Sequence, residues 1–432
     1  MNTTTGQLPK WLKQTLSPVS VLWALLGLPL ICGWLCAVLV MIGEGDRSSA
    51  SVGLAIFGFA LVVLTGGAGA IVAWHVGNSL AGKLSHPIRL FPAWLWALLF
   101  ALGIVSGSFI IQEDIGTVLF FPPLLLATAA VPPLLAIAWF IQRQADGLTW
   151  RRGLVAFIGG ATVSVFIALV LEILLPVIVL ALVAGLTETV LPHLEVLISA
   201  LDGKQIAEAI TSPSFVFIFL ELAVIAPLAE EFAKPLVTLP ILRYLTRREA
   251  FLVAAMAGAG FAALENVIYA GFGFSFWAGI LIVRALGGAI HPLGAGLVGQ
   301  GWHAVLRGEP QAGRKWATRF GLAVGMHALW NGGSLLVITL AGAQFFGDLP
   351  PEIDVLGLSA AGTTLALLIV LGLAALWIGR RMARETEPQA VPDDQPPGHE
   401  FILTDRAVAI WALACLVAIV PAGIASLQLL MR

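Results

Sequence analysis

Nine polar residues set in apolar surroundings carry whatever chemistry this chain performs: Glu230, Glu231 and Lys234, then Glu265 and Asn266, then Arg284 and His291, then His327 and Asn331. Carboxylates beside histidines can take a proton from water, and a histidine with an amide can donate hydrogen bonds to a developing oxyanion. Glu230 and Lys234 stand one helical turn apart on one face, while Glu231 points about 100° away. Taken alone, that spacing fits a structural ion pair equally well. On the residues themselves Glu231, with no lysine on its face, is the better base. Glu265 lies one turn from Phe261 and from Tyr269 and cannot stay ionised in apolar surroundings without a partner or a cation. Arg284 and His291 are seven residues apart on one face, with Pro292 and Gly294 expected to loosen the helix beside the histidine. Arg284 is close enough to the end of its segment to snorkel. His327 and Asn331 share a face one turn apart, and Gly321 with Gly325 predicts a close-packing surface on the same helix.

Zinc could be held by Glu231, Glu265, His291 and His327. No H-E-x-x-H pair is present and the ligands would come one per helix, so glutamate catalysis without a cofactor is the preferred expectation and zinc the alternative.

Groups of this kind need elements that hold them at depth. Of 432 residues 59% are hydrophobic and 11% charged, and apolar runs of spanning length recur from end to end, so the chain is expected to be an all-α, polytopic membrane protein. The runs are continuous rather than alternating, which excludes a membrane β-barrel. Spans are predicted near 20–42, 52–76, 91–112, 118–141, 153–184, 214–241, 250–271, 274–306, 319–345, 355–378 and 407–430, about eleven in all. An ionisable side chain at bilayer depth costs about 2.5–3.5 kcal/mol, so the nine residues are expected to face one another as one site. From Arg243, Glu230 lies roughly 20 Å deep at ~1.5 Å per residue, beyond ordinary snorkelling. Ala254, Gly258 and Ala262 form a stripe on which the helix carrying Glu265's partner should pack closely.

Basic residues test the count. With the N-terminus inside, 18 of the 23 lysines and arginines fall on inner segments, three (Arg47, Lys204, Arg432) on outer ones, and two (Lys234, Arg284) within spans. The rule that cytoplasmic loops are positive then predicts N-inside and C-outside. The chain divides into an inner tail (1–19), a five-helix scaffold (20–184), an outer loop (185–213), a four-helix core (214–345), a tenth helix (346–378), an inner linker (379–406) and a last helix (407–432). Val190, Leu191, Leu194, Leu197, Ile198 and Leu201 give the outer loop helical periodicity, predicting an amphipathic helix on the membrane surface. The linker, rich in proline and acid, is expected to be disordered. Cys32, Cys36 and Cys415 lie in apolar runs with no C-x-x-C pair, so neither a disulfide framework nor a thiolate metal site is expected. Glu172, the one carboxylate well inside a scaffold span, is expected to make a structural hydrogen bond.

The motifs E-E-x-x-K (Glu230, Glu231, Lys234), F-x-x-x-E-N (Phe261, Glu265, Asn266), R...H (Arg284, His291) and H-x-x-W-N (His327, Trp330, Asn331), in this order on consecutive helices, resemble the PrsW family of intramembrane proteases. The resemblance covers roughly 213–343. It implies peptide-bond hydrolysis in a membrane-anchored protein such as an anti-sigma factor, a bacterial cytoplasmic membrane location, and no nucleic-acid partner. Through the related CAAX prenyl endopeptidases and bacteriocin-processing proteins, it implies that Glu230, Glu231 and a histidine activate water, Glu230 foremost, and that a histidine with Asn331 steadies the oxyanion. Glu265 stands where those relatives have histidine. Lys234, Glu265, Asn266 and Arg284 are expected to support. The competing class is a proton- or ion-coupled transporter, for which intramembrane Glu, Lys and His also serve, but no matched halves are evident in the sequence.

Overall fold

The computed structural model describes residues 10–46, 48–81, 83, 85–113, 115–141, 148–176, 213–346 and 351–384. Inside a bilayer no water is present to satisfy backbone groups, so each apolar run closes its hydrogen bonds within itself as a helix. The described residues are accordingly helical, with no strand among them and a single isolated bridge between Pro87 and Thr149.

Among the described residues eight helices are long and apolar enough to cross a membrane: Gly27–Glu44, Ser49–His75, Ala93–Ile110, Gly116–Ile141, Trp150–Pro176, Arg247–Phe272, Ala312–Val337 and Ser359–Arg384. A ninth span is a pair, Phe274–Leu286 with Ile290–Leu306, bent by 42°. The predicted span 214–241 is present in pieces, Pro213–Leu220, Ala226–Ala233 and Leu239–Leu242, joined through a π turn at Glu221–Ile225 and a 3-10 turn at Leu236–Thr238. Pro235 accounts for the second break, because it lacks an N–H and its ring clashes with a helical carbonyl four residues back. The first apolar span belongs to a longer helix, Lys10–Glu44, so helical structure reaches into the segment expected to be a tail. The outer amphipathic loop, most of the inner linker, Cys415 and the last helix lie outside the described residues.

The Arg247–Phe272 helix is the axis of the molecule. Its start is closed by a capping box in which Thr246 and Glu249 satisfy each other's backbone N–H groups. Its spanning window is 89% buried, against 11% for Ala93–Ile110, and it packs on Ile290–Leu306, Phe121–Ile141 and Trp150–Gly159. Lipid offers no hydrophobic drive for helix association, so close van der Waals approach has to supply it. The small residues do so. A Cβ on Gly160 would stand 1.9 Å from the Ala257 carbonyl oxygen, and one on Gly260 would stand 1.8 Å from that of Phe157. On the opposite face a Cβ on Gly258 would stand 2.4 Å from the His291 carbonyl oxygen, and one on Gly299 2.2 Å from the Ala254 Cβ. The predicted stripe therefore seats the helix that carries His291. Gly321 and Gly325 behave otherwise: a Cβ at either would meet nothing within 4 Å among the described residues, so the close-packing surface expected there is corrected to an open face. Large apolar side chains on the peripheral helices, including Leu39, Trp94, Phe109 and Trp377, point outward and form the lipid-facing surface.

Candidate active site

Glu230 and Glu231 sit on the short Ala226–Ala233 helix, whose next residues break at Pro235. Lys234, fully buried, places its Nζ 3.0 Å from Glu230 Oε2 and 2.6 Å from Glu231 Oε1 and 4.6 Å above the centre of the Phe261 ring. One lysine therefore serves both carboxylates, not Glu230 alone as the one-turn spacing suggested. Removal of such a charge pair from water is affordable only with close partners on each side. The scaffold helps: Ser164, in the π turn of the fifth span, donates from its Oγ to the Lys234 carbonyl at 3.0 Å.

His327 comes from the Ala312–Phe346 helix and is also fully buried, with Nδ1 3.0 Å from Glu231 Oε1 and Nε2 3.8 Å from Glu230 Oε2. His291 comes from the start of Ile290–Leu306. Its Nδ1 is 3.9 Å from Glu230 Oε2, its Nε2 is 3.3 Å from Glu265 Oε2, and its ring meets that of His327 edge-on with centroids 4.6 Å apart. Phe261 stacks on the other face of His291 at 6.2 Å. One ligand atom each from Glu230, His291 and His327 lies within 4.8 Å of the other two. Glu230 Oε2, His291 Nδ1 and His327 Nε2 are buried and make no aligned hydrogen bond; His327 Nδ1 also approaches Glu231 without the alignment of one.

This arrangement fits a divalent metal. Two imidazoles and a carboxylate whose facing atoms make no aligned hydrogen bond are a donor set that a catalytic zinc takes. The set differs from the one expected from sequence. Glu230 takes the place of Glu231: both pair with Lys234, but Glu230 Oε2 also faces the two histidines, whereas Glu231 Oε2 lies where a Cβ on Gly294 would come within 2.3 Å. Glu265 belongs to the layer behind His291, since its Oε2 is 2.8 Å from Arg284 Nη2.

Arg284 turns inward, so snorkelling toward the outer boundary does not occur. It pairs with Glu265, donates from Nε to Asn266 Oδ1, and stacks 4.4 Å above the Tyr269 ring. Asn266 in turn donates from Nδ2 to the Ala129 carbonyl at 2.9 Å, tying this layer to the fourth span. The loosening expected beside His291 falls one turn earlier, at Gly287–Ala289, because Pro292 sits in the first turn of its helix, where its missing N–H costs nothing. Trp330 closes that break: a Cβ on Gly287 would stand 2.3 Å from its ring. Asn331 donates one amide hydrogen to the Leu222 carbonyl at 2.9 Å, on the π turn that precedes the glutamate pair. Glu172 is half-buried and within Coulombic range of Glu265.

Sequence reasoning missed Ser164 and the seat that Gly294 makes for Glu231. A serine within an apolar span was the available signal for the first, and only the packed helices reveal the second.

Residues 149–349, just under half the chain, match the family described as PrsW family intramembrane metalloprotease. No curated protein and no solved structure matches the chain.

Proposed function

We propose that the chain, whose residues 149–349 match the PrsW family of intramembrane metalloproteases, is an integral membrane peptidase acting on membrane-anchored protein, and that the Glu230, His291 and His327 cluster is where it hydrolyses the peptide bond. The observation that carries this reading is the convergence, from three separate helices, of two buried imidazoles and a carboxylate whose facing atoms make no aligned hydrogen bond, with Lys234 paired to the carboxylate and a second carboxylate beside it.

Hydrolysis requires that a water oxygen attack the peptide carbonyl carbon, that the resulting oxyanion be stabilised, and that the leaving amine receive a proton as the C–N bond breaks. The glutamate pair takes the proton of the attacking water and passes it to the amine. Lys234 keeps a net charge off the pair while this happens. The histidines orient the water, and Asn331, with a second amide hydrogen left after its bond to Leu222, stands one turn from His327 to donate to the oxyanion. Glu230, His291 and His327 would hold zinc, which when bound polarises the carbonyl and makes water a nucleophile near neutral pH. With a metal in place Glu230 is engaged and Glu231 is the remaining base of the pair. Without one, Glu230 Oε2 is the base. Either way both carboxylates are needed. The substrate we infer is a membrane-anchored regulator of the anti-sigma-factor kind in a bacterial cytoplasmic membrane.

Reconstitution into liposomes with a panel of transmembrane substrates tests this. Glu230→Gln and Glu231→Gln keep shape and remove charge, and each should lower turnover by at least ~100-fold, the low end for a general base. Near-normal turnover in both would end the proposal.

A further inference from the structure

Five groups stand in a close line from the fourth span to the site, with Glu265 Oε2 meeting its two neighbours as charge contacts and not as aligned hydrogen bonds. The Ala129 carbonyl accepts from Asn266 Nδ2 at 2.9 Å, Asn266 Oδ1 accepts from Arg284 Nε, Arg284 Nη2 lies 2.8 Å from Glu265 Oε2, and that oxygen lies 3.3 Å from His291 Nε2. The other ring nitrogen, Nδ1, faces Glu230 and is unpartnered. The line crosses the Gly287–Ala289 break, so Arg284 and His291, on the two halves of one bent span, are held in register by Glu265 and not by a continuous helix.

We propose that Arg284 is a positioning residue: by fixing Glu265 against His291 Nε2, it keeps the ring proton on Nε2 and turns the Nδ1 lone pair into the site between Glu230 and His327. A neutral imidazole carries its proton on one nitrogen only, and the nitrogen that faces an acceptor carboxylate keeps it. Without Glu265 held in place, Glu230 is the competing carboxylate. It would draw the proton to Nδ1 and remove the lone pair that faces the site. A lysine could supply the charge but not the geometry, because the guanidinium reaches Glu265 through Nη2 and Asn266 through Nε at once while its carbon lies 4.4 Å over the Tyr269 ring. Buried groups behind a ligating or catalytic histidine commonly act in this way, and their loss costs about 10–100-fold.

The inference rests on the peptidase reading for its purpose, but its test needs no substrate. Protein labelled with 15N at histidine is purified as wild type and as Arg284→Lys, and the His291 ring signals are identified by their loss in His291→Asn. In wild type the signals should report a single tautomer protonated at Nε2, and in Arg284→Lys a mixture. Titration of the same samples with zinc alone should show about 10–100-fold weaker binding in the variant. An unchanged tautomer in Arg284→Lys would overturn the proposal, because charge would then suffice. Should that variant fail to fold, Asn266→Leu removes the second acceptor of the guanidinium and leaves the ion pair, and is read in the same way. A wild type with the expected tautomer and no peptidase activity would sink the peptidase reading and leave this inference standing.

Discussion

At the scale of single residues the two carboxylates of the glutamate pair differ in what surrounds them. Glu231 is held on Oε1 by Lys234 at 2.6 Å and seated on Oε2 by the bare Cα of Gly294, whereas Glu230 Oε2, 3.0 Å from the same lysine, also looks toward both histidines. On these surroundings we propose different tasks for them. If zinc is the metal, its content separates them. Wild-type protein should hold about one zinc and lose cleavage to a chelator; Glu230→Gln should lose both metal and activity; Glu231→Gln should keep the metal and lose activity. Elemental analysis of the three proteins checks this, and metal-free, chelator-resistant wild type would restore the cofactor-independent mechanism with Glu230 as the base.

At the scale of elements the site depends on how closely helices approach. Gly160 and Gly260 bring the fifth span and the Arg247–Phe272 helix into backbone contact, and no flexible side chain is present there to give way. Gly160→Ala or Gly260→Ala should therefore force the helices apart and destabilise by about 1–3 kcal/mol or more, with activity lost alongside. Gly321→Ala and Gly325→Ala face open space and should be neutral or stabilise by up to ~1 kcal/mol, since glycine is the poorer helix former. Thermal unfolding in one detergent distinguishes the pairs. If all four alanines behaved alike, close approach would not be what assembles the core. Scaffold spans also reach the site's supporting layer, through the Ala129 carbonyl and the Ser164 hydroxyl.

At the scale of the molecule the depth of the site follows from the spans, and its orientation from the basic residues. We expect the turn at 307–311 on the cytoplasmic side and the turn at 111–115 on the opposite side. In a background lacking Cys32, Cys36 and Cys415, Pro310→Cys should resist a membrane-impermeant thiol reagent in intact cells and react after lysis, while Glu113→Cys should react in both. The reverse pattern would invert the topology. The Arg247–Phe272 helix is the buried centre, with 89% of its window enclosed, whereas the Ala312–Val337 span that carries His327 is only 22% buried and exposes Leu322 and Leu329 as the peripheral helices expose their apolar side chains.

The sequence by itself determined that the chain is helical and membrane-embedded, and that four consecutive segments share one site, because hydropathy and the cost of burying charge are properties of residue type and spacing alone. The stripe at Ala254, Gly258 and Ala262 was legible for the same reason, as absent side chains leave room whatever the partner. Which oxygen meets which nitrogen was not legible. Lys234 serves both glutamates through local pairs whose rotamer the surrounding helices fix, Arg284 folds inward onto Glu265 of the preceding helix, and the helix breaks at Gly287–Ala289, where Trp330 packs, and not at Pro292. Gly321 and Gly325 teach the same lesson in reverse: they permit an approach that no described helix makes. Small residues allow contact and polar residues demand partners, but only the packing of the helices decides which contact is made and which partner is taken.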